Sequence, residues 1–319
     1  LDWGLGHASR CVPLIRRLQS EGDQVWIASA GTALQLLAKE CPELTRFEVT
    51  AYGVRYPTAC MAWNLAIQAP RLLRVMRTER QQAAHLVREL HPTRVVSDGR
   101  FAFYDPQIPN IWLAHQLQIQ HPAPILQNIL NRVYHAYLRQ VFQEVWVPDW
   151  PEAERSLAGA LATPVAGLPH RFLGPLSRYA ELADSRPFRY DLLCLLSGPE
   201  PQRSRLEAQL RRRFAECRQR TLLLRGKAGS EQVRQEGSNF YVVDWLHGQA
   251  LAEAVAASAR ILCRSGYSSL MDLYYWQKPA VLVPTPGQTE QLYLARYWQA
   301  RGWAEMESNT GRPKREALS

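Results

Sequence analysis

Nine short apolar runs, with helix-spaced segments between them, constrain the fold of this chain more than any other feature. Four lie in the first half, Gln24 to Ala28, Arg94 to Asp98, Ile111 to His115 and Val145 to Pro148. Five lie in the second, Leu192 to Ser197, Thr221 to Leu224, Phe240 to Val243, Arg260 to Cys263 and Ala280 to Val283. Continuous runs of this length suit strands buried on both faces of a parallel sheet. The intervening segments place apolar residues at helical spacing, as in Leu206, Leu210 and Phe214 or Leu251, Val255 and Ala259. Strand–helix alternation in both halves predicts an α/β chain of two doubly wound domains. The 319 residues are enough for two. The Gly/Pro-rich stretch Pro164 to Pro175 separates the two series, so the expected domains are residues 1–168 and 169–319. Small-molecule sites commonly lie between such halves.

Charge and cysteine content narrow the class. The net charge of +9 is carried mainly by the second half, +7 over residues 161–319 against +2 over 1–160. The excess is almost all arginine, since the lysines are Lys39, Lys227, Lys278 and Lys314. Such a surplus suits a phosphorylated small molecule or an anionic membrane surface. Zinc-finger spacing and RNA-binding aromatic signatures are missing, so nucleic acid is not an expected partner. The apolar runs all fall short of the ~20 residues of a spanning helix. The cysteines Cys11, Cys41, Cys60, Cys194, Cys217 and Cys263 are scattered without CxxC spacing or a Cys/His cluster. Reduced thiols in a cytoplasmic protein are the expectation, with no metal site.

Four segments carry candidate chemistry. Gly4, Gly6 and His7 precede an amphipathic helix containing Val12, Leu14, Ile15 and Leu18. Two glycines allow a tight turn whose N–H groups suit an anion. The third glycine of a dinucleotide fingerprint is lacking, and Ser29-Ala30-Gly31 replaces the expected ribose carboxylate, which disfavours NAD and FAD. In the second half, Arg264, Ser265, Gly266 and Ser268 offer donors where a strand meets a helix, with Asp272 two turns further on. The next strand leads into Gln288, Thr289, Glu290 and Gln291, where Thr289 is a plausible N-cap and the others suit sugar hydroxyls. Ser197 and Gly198 follow the second half's first strand and can place small donors against a pyrophosphate. Taken singly, each segment is equally compatible with an ordinary strand-to-helix turn.

Together these motifs resemble the family-28, MurG-like glycosyltransferases of GT-B fold. The resemblance covers nearly the whole chain and is strongest over 240–300. It implies two Rossmann-like domains facing across a cleft, the first for the acceptor and the second for the nucleotide sugar. By that likeness Asp272 holds the ribose, Glu290 and Gln291 the donor sugar, and the segment around Trp245 and Leu246 the uracil. Gly4, Gly6 and His7 correspond to the acceptor-side Gly-rich loop. The family more often shows Gln-Gln where Glu290-Gln291 stands here, and Glu where Asp272 stands.

The chemistry of such a transfer needs a held diphosphate and a base for the acceptor hydroxyl. Asp-x-Asp, the usual metal-binding motif of GT-A enzymes, does not occur in this sequence. Helix N-termini and basic side chains are then expected to hold the diphosphate without a metal or other cofactor. His7 is the expected general base, and Asp98 can orient it or act as base itself. His115 and Gln116 end another strand; a strand-end histidine with a local hydrogen bond is expected, and facing the cleft is the alternative. A UDP-sugar, first of all UDP-N-acetylglucosamine or a related hexose donor, is expected to react with inversion on an unidentified glycan or lipid-linked acceptor. A hydrolase that activates water with the same histidine, and a nucleotide-sugar-binding protein without catalysis, stay open. A GT-B-fold epimerase lacks counterparts for its acid/base carboxylates.

Two weaker features concern surfaces and the chain start. Between Met61 and Arg80, Trp63, Leu65, Leu72, Leu73 and Met76 interleave with Arg71, Arg74, Arg77 and Arg80. A core-facing helix with a solvated arginine face is expected, and contact with the inner face of a membrane is the alternative. The arginines from Arg203 to Arg220 are expected to form a solvated face. Only Leu1, Asp2 and Trp3 precede Gly4, whereas a buried strand takes ~5–6 residues. A natural chain starting several apolar residues earlier is therefore expected, stabler and more active than this one.

Overall fold

A computed structural model describes residues 5–53, 61–121, 123–179, 189–227 and 229–307. The side chains of Leu5 and of 61–66 are outside that description, as are Gly4 and Cys60. The chain divides into two units, Leu1–Ser177 and Arg178–Ser319.

The first unit runs α1 (Leu5–Ser20), β1 (Ile27–Ser29), α2 (Gly31–Glu40), β2 (Arg46–Glu48), α3 (Met61–Leu90), β3 (Val95–Asp98), β4 (Asn110–Leu113), α4 (Pro124–Val141), β5 (Glu144–Val147), a 3-10 turn (Gly159–Ala162) and β6 (His170–Phe172). Its strands form two parallel pieces, β1–β2 and β3–β4–β5–β6. The pairing of β6 with β5 keeps residues beyond 168 in this unit, so the chain divides at 177/178. Among the described residues, no strand pairs with the second edge of β1 or of β3. Both strands line a cavity of about 250 Å³, walled by Ile15, Leu37, Val87 and Leu113 and reaching His7 and Asp98. The core side of α3 is Val75, Glu79, Ala83 and Val87, with Arg71, Arg74 and Arg77 exposed. An arginine face does turn outward, but Leu73, expected in the core, is exposed, Leu72 and Met76 are half-buried, Arg80 packs on the Tyr104 ring, and the side chains of Trp63 and Leu65 lie outside the described residues.

The second unit runs β7 (Leu192–Leu195), α5 (Gln202–Phe214), β8 (Thr221–Leu224), β9 (Arg234–Gln235), β10 (Phe240–Val243), α6 (Gly248–Ala256), β11 (Ile261–Cys263), α7 (Tyr267–Trp276), β12 (Ala280–Leu282), α8 (Thr289–Ala300) and β13 (Glu305–Met306). They make one sheet of order β13-β12-β11-β7-β8-β10-β9, parallel except for β9. Leu206, Leu210 and Phe214 of α5 pack on Leu192, Cys194, Leu223 and Val242, as their spacing predicts. Ala259 lies beyond the end of α6 and does not continue that helix.

Within the expected solvated arginine run, Arg203 departs from expectation. Arg203 is buried, not solvated, and donates to Glu200 and Glu207, both at 2.7 Å. Glu207 also accepts from Arg211 at 3.1 Å and Arg225 at 2.7 Å. Arg225 and Arg234 then meet on Asp244 at 2.7 and 2.9 Å. Arg205, Arg212, Arg218 and Arg220 stay exposed, as expected, so the departure is confined to the arginines that meet Glu207 and Asp244.

Candidate functional site

The sheet of the second unit reverses direction at one place. The chain leaves β7 toward β8 and β10, then returns to β11 on the other flank of β7. In open α/β sheets, ligands bind at the carboxyl ends of the strands beside such a reversal. There the loops after β7 and β11 lie side by side, carrying Ser197–Gly198 and Arg264–Ser265–Gly266.

Local geometry explains these residue types. Gly198 has φ +100°, and a Cβ on it would stand 4.0 Å from Thr285 Oγ1, bringing the β7 and β12 loops together. Gly266 is the extended residue before α7, whose first N–H groups lack intrahelical partners and favour an anion. Ser265 Oγ donates to the Gln291 carbonyl at 2.8 Å, fastening α8 to this turn. The Gln291 side-chain oxygen accepts from the Thr285 N–H at 2.9 Å. Arg264 turns inward, donating to the carbonyls of Val283, Pro284 and Gln202 at 3.1, 3.0 and 3.1 Å. Burial lowers its pKa to about 10, and among the described residues no carboxylate pairs with it. An uncompensated cation beside a helix N-terminus makes this edge attractive to a diphosphate.

Asp272 and Ser268 lie on α7, both half-buried. Burial first and then the neighbouring Asp272 charge push the Cys263 thiol up to about 12. Trp245 and Leu246 follow β10 at the same edge, and the buried Trp245 Nε1 has no partner among the described residues. Thr285 Oγ1, on a side chain buried to 3% exposure, also has none.

In the first unit His7 and Asp98 meet. His7 Nδ1 lies 2.9 Å from Asp98 Oδ1, bridging the first turn of α1 and the end of β3. His7 retains 27% side-chain exposure, whereas Asp98 has 8%. Burial lowers the His7 pKa below its ordinary 6.5; the Asp98 charge opposes that shift and Arg10 adds to it. Burial raises the Asp98 carboxyl, but the Arg10 and His7 charges and bonds outweigh it and hold the group well below the usual carboxylate range. A neutral imidazole with a fixed carboxylate at Nδ1 is a proton acceptor through Nε2. His115 sits two residues past β4, whose Leu113 pairs with Asp98, so both share one end of the sheet.

Residues 202–313 match the glycosyltransferase family 28 C-terminal domain. The fold of the whole chain is similar to the glycosyltransferase SnogD from Streptomyces nogalater, with TM-score 0.62 and 18% identity over 96% of this chain and 84% of that one. It is also similar to MurG from Acinetobacter baumannii, at TM-score 0.54 and 15% identity over 97% and 84%. UGT89C1 from Arabidopsis thaliana, solved with UDP-L-rhamnose, gives 0.57 and 11% over 95% and 83%. The chain thus resembles family-28 glycosyltransferases in the sequence of its C-terminal part and GT-B glycosyltransferases in fold along its length.

The fold positions the expected site residues as follows. Ser197, Gly198, Arg264, Ser265, Gly266 and Gln291 gather around the reversal, and Gln288 precedes α8 there. Gln288, and not Thr289, takes the N-cap position of α8, because the helix begins at Thr289. Glu290 falls in the first turn of α8. The hydroxyl of Ser265, the guanidinium of Arg264 and the side-chain oxygen of Gln291 are already engaged within the protein, so these groups shape the site through the turns they hold. Gly6 and His7 lie within the first turn of α1, not in a loop ahead of it, and Gly4 is outside the described residues. Thr285 and Arg10 escaped the sequence reading. Thr285 sits in the flagged Pro284–Gln291 segment, while Arg10 has only its spacing of three from His7 as a signal. Among the described residues no group of three His, Cys, Asp or Glu side chains converges as a metal site, and no helix is long and apolar enough to cross a membrane.

Proposed function

We propose that this glycosyltransferase moves a hexose, N-acetylglucosamine or a related sugar, from a UDP-sugar to an acceptor hydroxyl with inversion and without a metal. The observation that carries the reading is the 2.9 Å pairing of His7 Nδ1 with Asp98. It leaves Nε2 to take the acceptor proton while the acceptor oxygen displaces the diphosphate from the anomeric carbon in one step. The second unit holds the leaving group at the α7 N-terminus, with Asp272 for the ribose and Glu290 for the sugar. Binding of a UDP-sugar by a fold neighbour supports the choice of uridine. The acceptor is a glycan or a lipid-linked sugar at the cytoplasmic face of a membrane. Exposed Ile125, Ile129 and Val133 on α4, with the outward Arg71, Arg74 and Arg77 of α3, support contact with an anionic bilayer.

The test is calorimetric titration of UDP-, GDP- and TDP-sugars, then transfer assays with and without EDTA. Asp272→Asn is expected to lose ~1.5–3 kcal/mol of UDP affinity, the worth of bonds to a charged group. His7→Gln is expected to keep UDP binding and lower transfer by about 10²–10⁴-fold. Undiminished UDP affinity in the first variant overturns the donor site. Strict dependence on added Mg²⁺ or Mn²⁺ overturns metal independence. Rapid release of free sugar without acceptor replaces the transferase reading with a hydrolase.

A further inference from the structure

Arg10 follows His7 by three residues on α1, so both project toward the end of β3. Its side chain is 5% exposed. Nε donates to Asp98 Oδ2 at 3.1 Å, and Nη2 donates to Asp98 Oδ1, a two-point clamp on the carboxylate. The same Nη2 stands 2.9 Å from His7 Nδ1, which itself lies 2.9 Å from Oδ1. Cys11 Sγ completes the cluster, donating to Oδ2 at 3.3 Å.

The imidazole therefore meets two groups at one nitrogen. A guanidinium is only a donor and an ionised carboxylate only an acceptor. If Arg10 donated to Nδ1, the ring proton would sit on Nε2 and the base would be lost. With Nδ1–H donating to Asp98, the Nε2 lone pair is free. Fixing both carboxylate oxygens keeps Oδ1 where Nδ1–H can reach it. The guanidinium charge also cancels much of the pull that Asp98 alone would exert on a proton at His7. After His7 has accepted the acceptor proton, two cations face each other at Nδ1 and Nη2, which favours release of that proton to water.

We propose that Arg10 is a positioning residue that clamps Asp98 and keeps His7 unprotonated, its Nε2 lone pair available, at pH values where a His–Asp pair alone would hold a proton. This rests on His7 being the base. Among the described residues the charged groups facing His7 are Asp98 from β3 and Arg10 from α1, with Cys11 beside them, and the amino-terminal charge acts in the same sense as Arg10. Farther along the shared cavity wall stand Arg100, which is paired with Glu79, and Asp23, which is paired with Arg94. Because those two carry their own counter-charges, burial and Arg10 together oppose the pull of Asp98.

The experiment is the pH profile of kcat/KM for the full chain and for Arg10→Met and Arg10→Lys. In Arg10→Met the acidic limb is expected to move up by about one pH unit, and the plateau to fall about tenfold as the base loses its alignment. Arg10→Lys is expected to restore the limb through its charge but not the plateau, since an ammonium cannot clamp both oxygens. An acidic limb unmoved in Arg10→Met, whatever the loss of rate, overturns the proposal. Nitrogen-15 NMR of the unsubstituted protein needs no variant. It is expected to show His7 protonated at Nδ1 and bare at Nε2 at neutral pH, and the opposite tautomer overturns the proposal. If His7→Gln transfers sugar normally, the base assignment falls, while the NMR titration of His7 in Arg10→Lys still decides what Arg10 does to the imidazole.

Discussion

Thr285 buries a hydroxyl that no described residue receives, in the loop that leads from β12 toward α8. A buried hydroxyl without a partner weakens the empty protein by about 1–3 kcal/mol, a deficit that a bound acceptor atom removes. Thr285→Val keeps the shape and deletes the hydroxyl. The expected result is a second unit as stable as before or stabler by about 1 kcal/mol, and UDP-sugar affinity weaker by a similar amount. Thermal melting and calorimetry measure the two sides, and unchanged affinity would place the ligand elsewhere. Single residues of this site were unequally legible in the sequence. His7 at a glycine-rich helix start and Asp98 at a strand end could be singled out, but only the likeness to known glycosyltransferases set them above ordinary turn residues. Arg10 did not show, because in a chain with 38 basic residues a lone arginine carries no signal until its partner is known. The roles of Ser265 and Gln291 were half legible. Their place in the loops was evident, but not that the folded chain itself occupies their polar atoms.

Secondary-structure elements were read best where burial dictates the sequence. All nine apolar runs overlap strands, since a strand covered on both faces is built mainly from apolar residues. The strands β2, β6, β9 and β13 went unseen because they are two or three residues long and partly exposed, leaving no pattern to detect. The sequence of α5 misled in part, since Arg205 and Arg212 are the wet surface they look like, yet Arg203 and Arg211 turn onto Glu207. That cluster makes an acid-sensitive joint between α5 and the end of β8. Burial raises the Glu207 carboxyl, but bonds from Arg203, Arg225 and Arg211 outweigh it and bring it to about 2 from 4.5. A depressed carboxylate lends stability above its unfolded value and loses it as pH falls toward its folded one. The second unit is therefore expected to soften between about pH 4.5 and 2. At pH 7, Glu207→Gln is expected to cost about 3 kcal/mol by stranding its arginines, and its melting point should converge with the unsubstituted protein's near pH 2. A gap that persists in acid would show that Glu207 acts by packing alone.

At the scale of the whole chain, the two units are built from the same alternation but completed differently. Strand–helix periodicity made both visible, and the Gly/Pro stretch gave the division within ten residues; β6 moved it because an edge strand of three residues leaves no trace in composition. Periodicity says nothing about continuity, and there the units part. The second has one seven-stranded sheet, while the first has its strands in two pieces beside a cavity of about 250 Å³. That cavity opens to solvent, and Ile15, Leu37, Val87 and Leu113 make its walls apolar. Apolar surface left open to water is surface on which an apolar solute gains by adsorbing. A small apolar dye is therefore expected to brighten with the folded chain, and Val87→Asp to remove that signal. A dye that stays dark would show that side chains fill the space in solution.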